Sequence, residues 1–183
     1  MKKYIQLSIL ALAVSGLASC LPQDTIFEDG VGGIVEIYNF DARRAPSHTY
    51  AFREIESLLD YPGEYDFAIT NTSFDFPIVV NYTGIYGAPA DVTVDLAVDE
   101  SIADGVGRQT GLDYAVLPAS AYTLPGNSVT IPKGANRVDY RVAVNASALE
   151  PGKIYVFGFK ITGASAGTIS ANFASGGFYF EAL

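Results

Sequence analysis

The sequence predicts an all-β protein, a two-sheet antiparallel sandwich with Greek-key connections. Three observations carry that prediction. Apolar and polar residues alternate with period two in one segment after another, the pattern of a strand with one buried face. Gly, Pro, Asn and Asp gather between those segments, where they supply turns. Stretches with helical spacing are few, whereas Val, Ile, Thr and Tyr, which suit a pleated surface, recur throughout.

The chain of 183 residues opens on a leader-like stretch. Lys2 and Lys3 precede an apolar run from Ile5 to Leu17, and small residues follow, which is the layout of a secretory signal. The run falls short of the ~20 apolar residues that a membrane-spanning helix needs. It ends in Leu17-Ala18-Ser19-Cys20, which resembles the bacterial lipobox. That resemblance implies cleavage before Cys20, a lipidated thiol and an acylated new amine. Two or three acyl chains hold a protein on a membrane where one does not. The expected organisation is a signal peptide over residues 1–19, a lipidated Cys20 and flexible tether over 20–33, and one sandwich over 34–183. The expected location is the outer membrane, lipid-anchored and facing the cell surface.

Cys20 is the only cysteine, so no intrachain disulfide can form. A body of about 150 residues buries close to 70% of its unfolded surface and needs none. Of the 11 basic residues, Lys2 and Lys3 fall in the leader, which leaves nine against 20 acidic residues and a net charge of −11. A surface this acidic repels phosphate backbones, so nucleic acid is excluded as a partner.

Leu21 to Gly33 is polar and glycine-rich and reads as the tether. Within it, Asp24-Thr25-Ile26 resembles the D-[ST]-apolar O-glycosylation acceptor of Bacteroidota. Ile34 to Phe40 is the first expected strand, with Ile34, Glu36, Tyr38 and Phe40 on one face. A loop with the basic pair Arg43-Arg44 follows. Tyr50 to Leu59 carries Phe52, Ile55, Leu58 and Leu59 at helical spacing and reads as a short helix or irregular crossover. Tyr65, Phe67 and Ile69 then alternate with Asp66, Ala68 and Thr70, and Ile78, Val80 and Tyr82 alternate with Val79 and Asn81. Asp91 to Asp99 sets Val92, Val94, Leu96 and Val98 against Asp91, Thr93, Asp95 and Asp99.

Val129 and Ile131 begin a strand that Pro132-Lys133-Gly134 stops. Arg137 to Asn145 places Val138, Tyr140, Val142 and Val144 inside. Tyr155, Phe157, Phe159 and Ile161 follow a Leu149-Glu150-Pro151-Gly152 turn, and Ile169–Phe173 and Phe178–Phe180 close the chain.

The run from Phe76 to Phe173 resembles a domain found at the front of Bacteroidota surface lipoproteins, ahead of family 18 glycosidase or carbohydrate-binding modules. The matching pieces, in order, are P-I-V-V-N-Y-T-G, D-V-T-V-D-L-A-V-D, G-L-D-Y-A-V-L-P, A-Y-T-L, V-T-I-P-K-G and I-Y-V-F-G-F-K-I-T. The resemblance implies an immunoglobulin-like fold and a role in surface glycan handling. No catalytic or lectin module follows it before Leu183, so the domain is expected to act alone or through a partner chain.

Catalytic chemistry finds little to use. His48 is the only histidine, and no G-x-S-x-G, H-E-x-x-H or C-x-x-C motif is present. Asp91 and Asp95 share a strand face, where alternation alone explains them. The D-x-x-D-x-D-x-E pattern of family 18 glycosidases is absent. The expectation is a protein that is not an enzyme and has no cofactor; a structural calcium is the option weighed against it, with no EF-hand spacing present and acidic loops common in acidic proteins. Asp99, Glu100, Asp104 and Asp113 are the candidate oxygen ligands, around a glycine-rich loop.

Glycan binding needs exposed aromatic faces with polar groups to orient hydroxyls. Tyr86, in T-G-I-Y-G-A-P, is the aromatic least easily assigned to the core, followed by Tyr61 and Tyr179. The expected function is a cell-envelope lipoprotein with a non-catalytic sandwich that binds glycan or serves as a scaffold in polysaccharide uptake. Its partners are the membrane, through the lipid, and a polysaccharide or another surface lipoprotein. The alternative is a subunit of a fimbria-like assembly, in which cleavage at Arg43-Arg44 frees the first strand for exchange.

Overall fold

A computed structural model describes residues 32–40 and 49–183. The strands are β1 (Ile34–Ile37), β2 (Ala51–Glu54), β3 (Phe74–Tyr82), β4 (Val92–Val98), β5 (Tyr114–Val116), β6 (Tyr122–Thr123), β7 (Ser128–Ile131), β8 (Arg137–Val144), β9 (Ile154–Ala164), β10 (Thr168–Ile169) and β11 (Ser175–Glu181). One α-helix, α1 (Glu100–Thr110), lies between β4 and β5. The strands form two sheets, in the orders β10-β1-β3-β8-β6 and β2-β11-β9-β4-β7, with β5 added beside β9. Among the described strands no ladder joins two that are consecutive in sequence. From β5 onward each connection carries the chain across to the other sheet, as a Greek-key sandwich requires.

Period-two patterning builds the core. Ile78, Val80, Tyr140 and Val142 from one sheet meet Val94, Leu96, Phe157, Phe159 and Phe178 from the other, all buried. Aromatic rings lock the layers together. Phe76 lies 5.3 Å from Phe178 and edge-on to Phe157 at 6.2 Å, and Tyr140 lies 5.4 Å from Phe159. Such pairs add ~0.5–1.5 kcal/mol each beyond the area they bury.

Several expectations need correction. The sandwich is not antiparallel throughout, because β1–β10, β2–β11 and β5–β9 pair in parallel. Their chain segments arrive by crossovers rather than hairpins, which is how parallel pairing arises. The first strand stops at Ile37, and within it Val35 and Ile37 point inward while Ile34 is exposed and Glu36 half-buried. Beyond it the buried Asn39 side chain continues the pairing. Its Nδ2 donates to Pro77 O at 2.7 Å and its Oδ1 accepts from Val79 N at 2.6 Å. Gly33, expected in the tether, is buried and donates to the Tyr82 hydroxyl at 2.9 Å.

Tyr50 to Leu59 forms β2 and a 3-10 turn over Glu56–Asp60. Tyr65, Phe67 and Ile69 do alternate in burial with Asp66, Ala68 and Thr70, but the segment joins no ladder. It crosses the outer face of the first sheet, where the Arg141 guanidinium donates to Asp66 O at 3.1 Å. Ile169–Phe173 shrinks to β10 plus a turn in which Ser170 Oγ accepts from Phe173 N at 3.1 Å.

The largest correction is α1, which stands where a glycine-rich loop was expected. Asp99 caps it by accepting from Ser101 N at 3.0 Å, and Gly111 ends it in the left-handed region at φ +69°. Ile102, Ala103 and Val106 pack on Val156 of β9, burying the outer face of the second sheet. Gly158 and Gly177 are register partners on β9 and β11. A Cβ on Gly158 would overlap the Asp99 carbonyl and the Ala103 amide, and one on Gly177 would meet Val106 Cγ2 at 2.9 Å. The sheet is thus smooth where the helix lies.

Candidate functional site

The first sheet has an outward apolar residue, Val79, which is 5% exposed while its neighbours Ile78 and Val80 point into the main core. Leu58, Tyr65 and Phe67, from the segment that crosses this face, cover it. The covering segment also brings Tyr61 and Glu64 to the surface beside residues of the sheet. Tyr61 is 46% exposed and meets Tyr65 edge-on at 6.5 Å. The Arg53 guanidinium, at the end of β2, lies 5.5 Å from the Tyr61 ring centre. Arg137 of β8 stacks over Tyr38 at 3.4 Å and reaches Glu64 Oε1 at 3.4 Å.

The electrostatics of this cluster are unusual. Burial, reinforced by the Glu64 charge, pushes the Tyr65 hydroxyl up to about 12. Arg53 Nε and Glu56 Oε2 are buried atoms without a hydrogen-bond partner among the described residues. Glu56 Oε1 accepts from Glu181 N at 3.0 Å, and burial raises the carboxyl above its ordinary range. Arg53 therefore stacks on an aromatic ring rather than pairing with a carboxylate among the described residues.

Of the three aromatic candidates, the structure places each in a different setting. Tyr61 belongs to this cluster. Tyr86 stands at the tip of the loop between β3 and β4, 87% exposed beside Ile85 at 69%. Tyr179 is half-buried under α1, 6.2 Å from Phe52, with burial raising its hydroxyl and the charges of Glu54 and Glu56 adding to it. Its ring packs beside α1 and Phe52 rather than standing clear of the surface.

The four acidic candidates are not gathered. Asp99 Oδ2 holds Lys160 Nζ at 2.7 Å, and Lys160 with Ser101 pulls its carboxyl down to about 2. Asp104, on α1, accepts from the Tyr114 hydroxyl at 2.5 Å and pairs with Arg108. Glu100 and Asp113 are exposed, and among the described residues no three metal-binding side chains come together. Cys20, Asp24-Thr25-Ile26, Arg43-Arg44 and His48 lie outside the described residues.

Two grooves were not visible in the sequence. One, of about 600 Å³, runs past Asp95, Val98, Tyr122, Asn127 and Thr162. Its only aromatic, Tyr122, packs edge-on against Phe157 at 5.0 Å and is committed to the core. The other, of about 480 Å³, lies by Tyr50, Gly105, Arg108 and Gln109. There Gln109 clamps the backbone of Thr49 and Tyr50. Arg53 was missed as well, since a charged residue near a strand end looks like ordinary solvated surface.

Residues 59–168 match a family model described as "-like, N-terminal domain", which covers more than half of the chain. This chain belongs to that N-terminal-domain family. The matched span overlaps most of the Phe76–Phe173 stretch that carries the resemblance to a Bacteroidota surface domain. No curated protein matches the sequence. Solved structures share the N-terminal-domain fold. A candidate carbohydrate binding protein of Bacteroides ovatus superposes with a TM-score of 0.53 at 16% identity, covering 80% of this chain and 36% of that one. Two B. ovatus proteins of unknown function superpose with TM-scores of 0.55 and 0.52, at 14% and 20% identity. They cover 80% and 83% of this chain and 46% and 52% of their own lengths. The chain thus spans between about a third and about half of these three structures.

Proposed function

We propose that the protein is a non-catalytic glycan-binding domain, held on the outer membrane through a lipid on Cys20, with its site at the Tyr61 cluster. The observation that carries the reading is the exposed Tyr61 ring beside an Arg53 guanidinium that no carboxylate among the described residues engages. Sugars present apolar C–H faces that stack on aromatic rings, and vicinal hydroxyls that a planar guanidinium or a carboxylate can address two at a time. Tyr61 and Tyr38 supply rings, Arg53 and Arg137 supply donors, and Glu64 supplies an acceptor. The candidate carbohydrate binding protein that shares the fold supports the same class of ligand.

The organisation that goes with this reading is a leader over residues 1–19, a tether from Cys20, and the sandwich that presents the cluster. Pull-down on a panel of soluble polysaccharides immobilised on beads, with the mature chain and its Tyr61→Ala variant, tests it. Retention of the first and loss of the second is the expected result. A panel on which neither is retained would refute it.

A further inference from the structure

A second surface feature stands on the β3–β4 loop, and Arg137 borders both it and that cluster. Ile85 and Tyr86 project from the β3–β4 loop, 69% and 87% exposed. The loop is not loose. Asn136 Nδ2 donates to Tyr82 O at 3.0 Å and Gly84 O at 2.7 Å, and Ala88 exchanges backbone bonds with Gly134 and Ala135 of the facing turn. Gly87 sits at φ +75°, and a Cβ there would overlap the Gly134 carbonyl, so the two turns are pressed together. Two large apolar side chains are therefore held out into solvent by a stiff support, which is costly unless something covers them.

What lies around them indicates the occupant. β1 begins beside the loop, with Ile34 N donating to Thr83 Oγ1 at 2.9 Å and Gly33 N to the Tyr82 hydroxyl at 2.9 Å. The chain from Cys20 thus enters the sandwich at this pole. The 12 steps from Cys20 to Gly32 reach at most about 40 Å, even fully extended. Low charge points the same way. Residues 32–35, 82–91, 131–137 and 163–169 at this pole carry only three charged side chains, Asp91, Lys133 and Arg137, and Arg137 is paired with Glu64 at 3.4 Å.

We propose that this pole docks on the bilayer surface, with Ile85 inserted among the acyl chains and Tyr86 at the headgroup level. Tyrosine suits that boundary because its ring is apolar and its hydroxyl wet. The pole has few charges to desolvate, while the rest of the acidic domain is turned away from the anionic headgroups. Docking would fix the orientation of the tethered sandwich and point its other pole away from the membrane. The inference rests on anchorage through Cys20 and not on the identity of any glycan.

The chain has no tryptophan, so Tyr86→Trp creates a single fluorescent reporter at the loop tip. The control is Leu112→Trp, at the far end of β9, whose 11 residues put it roughly 30 Å from the docking pole. Each mature variant is coupled through the Cys20 thiol to maleimide lipid in vesicles of phosphatidylethanolamine and phosphatidylglycerol, some containing brominated acyl chains. Coupling imposes the anchor chemically, and the mass of the membrane-extracted native chain tests lipidation separately. The expected result for Tyr86→Trp is blue-shifted indole emission that loses roughly half its intensity to bromolipid, as for a ring about 5–10 Å deep. The Leu112→Trp control should do neither, and adding Ile85→Asp to Tyr86→Trp should return the loop reporter to its solvent spectrum. A solvent-like spectrum from Tyr86→Trp on vesicles would overturn the proposal. A blue shift without bromolipid quenching would also overturn it, and would identify a second copy of the chain as the cover.

Discussion

Replacing Gly158 by alanine adds one methyl group to the middle of β9, yet it should destabilise the whole domain. The new Cβ would fall on the Asp99 carbonyl and the Ala103 amide and lie 3.1 Å from Ala103 Cα. These are backbone atoms at the start of α1, so no side chain can rotate out of the way. The helix must lift, loosening Ile102, Ala103 and Val106 from Val156. Overpacking of this kind costs about 1–3 kcal/mol. Against it stands a gain of ~0.4–1 kcal/mol, because alanine narrows the unfolded ensemble. The net expectation is a loss of about 1–2 kcal/mol, or a Tm lower by about 2–8 °C for a domain of this size. Urea unfolding measures it directly. Gly126→Ala is the matched control, since nothing lies within 4 Å of its Cβ and its φ is ordinary. It should be neutral or stabilising by up to about 1 kcal/mol. A Gly158→Ala variant as stable as its Gly126→Ala counterpart would refute the account of how α1 seats on the sheet.

Asn39→Leu strands the Pro77 carbonyl and the Val79 amide, and each unmade buried bond costs about 1–3 kcal/mol, so urea unfolding should report a loss of roughly 2–4 kcal/mol. Asp99, held at about 2 against an ordinary 3.8, contributes stability above roughly pH 4 that drains away as the pH falls towards 2. Stability measured across that window should fall less in Asp99→Asn than in the native protein, and at neutral pH Asp99→Ala should cost about 0.5–2 kcal/mol through the lost helix cap. In an absorbance titration, one tyrosine, Tyr65, should ionise only near pH 12 and should vanish from the curve in Tyr65→Phe.

The strands were legible because a sheet with one wet face imprints its period on the sequence, and Val92 to Val98 or Arg137 to Val144 can be read almost residue by residue. Helix α1 was not, because Gly105 and Gly107 are poor helix formers, at about 1 kcal/mol each. They are tolerated where the Tyr50 and Tyr114 rings press on the helix and leave no room for a Cβ. The cues were nonetheless present, in Asp99 as a cap, Ile102 and Val106 four apart, and Gly111 as a stop. Exposure of Tyr86 was legible from its Gly-rich flanks. The Tyr61 cluster was only half legible. Tyr61 stood out in the sequence and Glu64 shares its turn, but Arg53 and Arg137 come from strands of different sheets that only the tertiary fold brings to them.

Titration calorimetry of the mature chain and of its Tyr61→Ala and Tyr86→Ala variants, against whichever polysaccharide the pull-down retains, tests the central claim most directly. The account predicts saturable binding that weakens roughly tenfold or more in Tyr61→Ala, a loss of at least ~1.4 kcal/mol, and is unchanged in Tyr86→Ala. Binding that survives in Tyr61→Ala and is lost in Tyr86→Ala would contradict it, moving the glycan site to the loop tip and taking that tip away from the membrane.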